Sequence, residues 1–199
     1  MSNLSDRWNR LTGKSRFVVC RIMLHLAGAE TNPLLGVLNR VGQNAIESDG
    51  DLNVLGEGLA EICQHLLELE AYWQAAANEG DAIWDEGEAS DYVNELFTDS
   101  AQRYLSQPDV IDEEDEETLV FPMTQNVVVM LTVAAEGEVP DLETDLADID
   151  ALRDGLKMLV NLHYQDKLHA IQVHFSPARF GDELTNEQVL ENFPELIPL

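Results

Sequence analysis

The chain has 199 residues, 45% hydrophobic and 25% charged, enough for one globular domain or two small ones with a real core. Thirty-eight acidic residues against eleven basic ones give a formal charge of -27, which repels nucleic-acid phosphates and argues against a DNA- or RNA-binding role. The two cysteines, Cys20 and Cys63, fall inside apolar patterns without metal-ligand spacing, so a reducing compartment is expected.

Charge is divided unevenly. Residues 1 to 40 hold six bases against two acids, and the remainder holds five bases against thirty-six acids. The run FVVCRIMLHLAGA is broken by Arg21 and His25, which excludes a secretory h-region, and it is too short to span a membrane. The chain therefore reads as cytoplasmic. Arg10, Lys14, Arg21 and His25 recur at spacings of four, seven and four, a stripe on one face if residues 14 to 27 are helical. That stripe, with Trp8 beside it, is a candidate contact surface for an acidic partner or a lipid headgroup layer.

A second helix is predicted from Asn32 as N-cap and Pro33 at the first helical position. Ser48-Asp49-Gly50-Asp51 supplies the turn that ends it and starts the next. Leu55, Leu59, Ile62, Leu66, Leu69 and Trp73 then follow at alternating spacings of four and three, the stripe of a third helix. Residues 78 to 89 read as a Gly-, Asp- and Glu-rich loop carrying Trp84 as a contact anchor. Ser90 is expected to cap a fourth helix whose Val93, Leu96, Phe97, Tyr104 and Leu105 share a face, with Pro108 closing it. These four helices would form a bundle over residues 1–105.

Residues 106–118 contain DVIDEEDEE, whose repelling charges predict an extended acidic linker. Beyond it, over 119–199, the period changes. Leu119 to Met123 is a short strand, and NVVVMLTVAA from Asn126 is a β-branched run suited to a central strand. A helix follows over 145–163, opened by Thr144 or Asp145, then a strand over Leu168–Phe175. Thr185 and Gln188 form a capping box for a last helix through Phe193. The predicted fold class is α+β: a helical bundle packed with, or linked to, a small C-terminal sheet in the order strand, strand, helix, strand, helix.

No phosphate-binding loop, nucleophile elbow or H-E-x-x-H motif is present. His163, His169 and His174 form the one group with metal-binding chemistry, and their spacing sends His169 and His174 to opposite faces of a strand. No catalytic, cofactor-binding or metal-binding residue is assigned, and no cofactor is expected.

The strand VVVMLTVAAEG, the strand AIQVHFSP and the closing DELTNEQVLENFPELIPL resemble an uncharacterised domain family of cyanobacteria and chloroplasts. The resemblance covers residues 126–199 and, more loosely, GLAEICQHLLELE. It implies an oxygenic phototroph and a non-enzymatic accessory or regulatory role, since plant relatives are associated with thylakoid membranes and acclimation to changing light. It supplies no catalytic residues. The leading expectation is a soluble protein acting on an unidentified protein partner, with Trp8, Arg10, Lys14, Arg21, Trp84, Phe180, Leu184 and Phe193 as contacts. The alternatives are peripheral docking at thylakoid membrane through the basic first helix, and a metalloprotein or enzyme of unrecognised type. Oligomeric state is not legible in the sequence.

Overall fold

The computed structural model describes residues 15–105, 125–178 and 182–199. Five strands, β1 (Phe17–Ala27), β2 (Trp73–Ile83), β3 (Asn126–Glu136), β4 (Leu168–Ser176) and β5 (Ile197–Pro198), form one antiparallel sheet in the order β4-β3-β1-β2-β5. Five α-helices accompany it: α1 (Asn32–Glu47), α2 (Leu52–Glu68), α3 (Glu86–Leu105), α4 (Ile149–Tyr164) and α5 (Asn186–Asn192). The class is α+β, but the predicted helical bundle preceding a small C-terminal sheet is overturned. The sheet is large, its strands come first, and β1 from the first part of the chain pairs along its whole length with β3 from the second. The predicted linker over 106–118 and the strand over 119–123 lie outside the described residues.

The largest correction concerns residues 17 to 27, which form a central strand rather than a helix. A strand flanked on both sides and covered on both faces must be apolar throughout, so it loses the period-two signature. Spacing of four compounds the ambiguity, because residues four apart share a face in a helix and in a strand alike. Val18, Cys20, Ile22, Leu24 and Leu26 face a core built with Leu38, Leu59, Ile62, Leu66, Leu156 and Leu159 of α1, α2 and α4. Phe17 and Val19 face α3 through Ala89, Val93 and Leu96. Met23 meets Val189 and Phe193 at the C-terminal segment on that same side. Helices thus cover both sides of the sheet, and each fully buried Leu or Ile among them contributes about 1.5–3 kcal/mol.

Local chemistry sets most element ends. The Asp51 carboxylate caps α2 by accepting the Asn53 and Val54 amides, and Asp148, not Thr144 or Asp145, caps α4 in the same way. The predicted capping box at Thr185 and Gln188 is present. Helix α1 starts at Asn32, with Thr31 as the preceding residue. The α2 stripe stops at Glu68, and a 3-10 turn over Glu70–Tyr72 swings Trp73 into β2, where its indole Nε1 donates to the Leu66 carbonyl at 3.0 Å. Helix α3 begins at Glu86 rather than after Ser90, and Asp85 Oδ1 accepts the Glu88 amide. The strands β3 and β4 lie side by side and antiparallel. Cys20 and Cys63 are free and buried; burial, followed by the Glu79 charge, pushes the Cys20 thiol up to about 12, and burial pushes Cys63 up as well.

Candidate partner-binding cleft

Arg21 dictates the chemistry on the α3 side of the sheet. Side chains alternate along a strand, so Arg21 projects toward α3, in the row where its cross-strand partners are Glu79 on β2 and Thr132 on β3, with Gln172 of β4 beyond Thr132. This row of four polar residues crosses a sheet that is otherwise apolar near its centre. Arg21 is 2% exposed. An ion taken out of water needs a full set of partners. It has them: Nε donates to Glu79 Oε1 at 2.8 Å, Nη1 to Ser100 Oγ at 2.8 Å and to the Leu96 carbonyl at 3.1 Å, and Asp99 completes the shell at 2.7 Å. The guanidinium therefore ties β1 to β2 and to α3.

Arg103, one turn beyond Asp99, carries the network outward by pairing with Asp99 and with Glu195 near the C-terminus. Burial alone would raise the Asp99 carboxyl, but the hydrogen bond from Arg21 and the charges of Arg103 and Arg21 outweigh it and hold the group below its ordinary value. Glu143 is held down first by its hydrogen bond from Arg16, against the opposing pull of burial.

On the other side of Arg21 the row is not satisfied. Among the described residues Thr132 Oγ1, Gln172 Oε1 and, one row away, His174 Nδ1 are buried without a hydrogen-bond partner, and Thr132 is 1% exposed. His174 packs against Phe97 with ring centroids 5.0 Å apart, and burial, then the Arg21 charge, lowers its pKa. An orphaned hydroxyl costs about 1–3 kcal/mol of desolvation that an isosteric methyl does not. Thr132→Val is therefore expected to raise unfolding stability by about 1 kcal/mol; urea denaturation checks this, and a loss would show that the hydroxyl has a partner.

Two clefts open along β2. One, of about 420 Å³, lies between Arg21, Glu79, Glu95, Asp99 and Glu195. The other, of about 560 Å³, lies between Glu79, Asp81, Ala82 and the segment Leu142 to Asp145. Asn78, Glu79 and Asp145 line both. The Asn78 side chain forms their waist, donating to the Thr144 carbonyl at 2.9 Å and accepting the Leu146 amide at 2.8 Å. The walls of the first carry Glu79, Glu95, Asp99, Asp145 and Glu195 beside Arg21 and Arg103, and those of the second carry Glu79, Asp81, Glu143 and Asp145.

The edge of β2 itself is open along the second cleft. Strand β5 pairs only with Ala75 and Ala76, and the Leu199 amide donates to the Gln74 carbonyl. Among the described residues no strand flanks the outer side of Glu79 to Ile83. The Ala82 amide donates to the carboxylate of its neighbour Asp81 at 2.7 Å. Gly80 sits so close to β1 that a Cβ there would lie 2.3 Å from the Val19 carbonyl oxygen.

The predicted contacts are placed differently. Arg21 is buried and ion-paired, and Leu184 and Phe193 are 4% and 2% exposed in the core, so none of the three presents a surface contact. His25 is half-buried on Asn126 Oδ1 at 2.9 Å. Trp84 is half-buried in the two-residue connection between β2 and α3. Trp8, Arg10, Lys14 and Phe180 lie outside the described residues. Among the described residues no group of three or more His, Cys, Asp or Glu is arranged to hold a metal ion, and no helix is long and apolar enough to cross a membrane. The sequence reading missed Glu79 and Asp81, inside a segment taken for an acidic loop, and took Asp145 only for a helix opener; the Asn-Glu-Gly-Asp stretch carries no strand pattern that could have found the first two.

These features define an antiparallel α+β protein with helices on both sides of its sheet and an acidic cleft beside an open strand edge. Residues 16–199 match the family described as Protein of unknown function (DUF1517), and the chain belongs to that family. No curated protein and no solved structure matches the chain.

Proposed function

We propose that this chain is a soluble, non-enzymatic accessory protein that binds another protein through the acidic cleft along β2. The observation that carries this reading is the open outer edge of Glu79 to Ile83 among the described residues, set beside the exposed carboxylates of Asp81 and Asp145. Unpaired strand edges are templates for recognition by another chain. The buried Arg21 network supports the same reading, since its donors are directed to neighbours within the chain and it holds the cleft wall rigid. The resemblance of the C-terminal half to proteins of cyanobacteria and chloroplasts supports a place in light, stress or surface-lifestyle acclimation of a phototroph. Docking of a basic helix over residues 14 to 27 on thylakoid lipid loses its basis, because Phe17–Ala27 is the central strand.

Crosslinked affinity capture from a native phototroph extract tests the reading. The wild-type chain should capture a defined protein that the double variant Asp81→Lys, Asp145→Lys does not, while Asp91→Lys on the exposed side of α3 leaves capture unchanged. Equal capture by the wild type and the double variant would contradict it.

A further inference from the structure

Resting on that reading of the cleft, we propose that the occupant is an extended basic segment of a partner protein, adding as a strand to the outer edge of β2 between Glu79 and Ile83 and carrying Lys or Arg at alternating positions. Three features select this partner.

The first is the backbone edge, which no strand flanks among the described residues, although its Ala82 amide is bonded to the Asp81 carboxylate and the incoming strand would have to displace that bond. On one side β2 is fully paired with β1, whereas on the other β5 ends at Ala76 and the Asn78 amide clamp closes the row that follows. The open run of five residues is about 17 Å long at 3.3 Å per residue, the length of an ordinary short strand. Main-chain pairing there would supply affinity without regard to sequence.

The second is the period of the charges. Glu79 and Asp81 share the α3 face of β2, with Gly80 between them. An incoming strand places residues i and i+2 on that same face, opposite or diagonal to the two carboxylates. Cations at i and i+2 therefore meet Glu79 and Asp81, and a small or apolar residue at i+1 faces the side of Gly80 and Ala82. Glu79 is shared with Arg21 and Glu143 is paired with Arg16, so the exposed carboxylates of Asp81 and, on the opposite wall of the cleft, Asp145 supply most of the field that draws the cationic segment in.

The third is what the same charges forbid. Pairing of two copies edge to edge would set Glu79 and Asp81 of each chain against the like residues of the other, and like charges directly opposite one another are destabilising. With a chain charge of -27 the long-range repulsion has the same sign. The open edge is barred to its own kind and available to a cation-bearing strand.

The probe is a fluorescent, end-blocked hexapeptide Lys-Val-Lys-Thr-Lys-Val, with a second version N-methylated at alternate amides to remove the donors of one edge. In fluorescence anisotropy with the full chain, the first peptide should bind, Asp81→Lys should weaken it about ten-fold, and N-methylation should weaken it by about the same factor or more. No binding of the parent peptide, or equal binding of the N-methylated one, overturns strand addition. A dimer in solution that Asp81→Lys abolishes would make a second copy the occupant and overturn it too. Because Asp81 is exposed, the variant keeps its fold, which circular dichroism verifies. If the extract partner is lost in the double variant yet the N-methylated peptide competes for it as well as the parent does, strand addition fails while the cleft as contact surface stands.

Discussion

Arg21→Ala should lower unfolding stability by about 3 kcal/mol, the cost of removing one partner from a buried ion pair. The figure sits at the lower end of that range because the two carboxylates left behind are partly solvated, with Glu79 and Asp99 side chains 42% and 44% exposed. Arg21→Lys should recover little, since an ammonium has three donors on a flexible stem and cannot reach Glu79, Asp99, Ser100 and the Leu96 carbonyl together. The sign of the pH effect follows from the same contacts. Asp99 is held below its ordinary value in the folded chain, so its contribution is present above the unfolded carboxylate value near 3.9 and is lost as pH falls through the depressed folded value. Urea denaturation of the wild type at falling pH should show that loss, and Arg21→Ala should show a shallower one. A variant as stable as the wild type, or with an unchanged acid limb, would mean that Arg21 is not the tie between sheet and α3.

Gly80→Ala is the second large effect. The added Cβ would stand 2.3 Å from the Val19 carbonyl oxygen and 3.0 Å from the Cys20 Cα. Both are backbone atoms of the central strand and cannot rotate away as a side chain would. The strands must separate or β2 must bend, and overpacking of this kind costs about 3 kcal/mol. Gly36→Ala is the informative contrast, because the α1 glycine is exposed with nothing within 4 Å of its added Cβ; it should gain about 0.5–1 kcal/mol from helix propensity. Thermal unfolding of the two variants should therefore move in opposite directions. If Gly80→Ala unfolds with the wild type, β2 does not approach β1 as described.

The contrast between strands that the sequence reveals and those it hides has a physical cause. Strand β3 was legible because its first ten residues form an uninterrupted, largely apolar run of which half are β-branched. Strand β4 was legible from its alternation. Strand β2, WQAAANEGDAI, has Ala, Asn, Glu, Gly and Asp where strand formers are expected, and it is extended because β1 pairs with it from Leu26 back to Phe17. Trp73 seemed to prolong the α2 stripe because a single 3-10 turn returns it to the layer its helix had faced. Once β1 and β2 are taken for a helix and a loop, the sheet loses two of its central members and shrinks to the small C-terminal unit expected from sequence.

The same error concealed the cleft. Arg21 was singled out correctly as an unusual base in an apolar run, but helical spacing turned it outward with Arg10 and Lys14, whereas β pairing turns it inward onto Glu79. No local signal in Asn78 to Asp81 marks those residues as a strand edge; that property arises only from β5 stopping at Ala76. By contrast, the turn over Ser48 to Asp51 and the capping box at Thr185 depend on residues within one turn and were readable directly.

Hydrogen exchange along β2 is the most direct measurement of the edge. Amides on the outer side of Glu79 to Ile83 other than that of Ala82, which donates to Asp81, should exchange rapidly in the chain alone and become protected when the alternating lysine peptide is added, while amides paired to β1 remain protected throughout. Exchange that is already slow without peptide, or that the peptide leaves unchanged, would contradict an open edge that receives a strand.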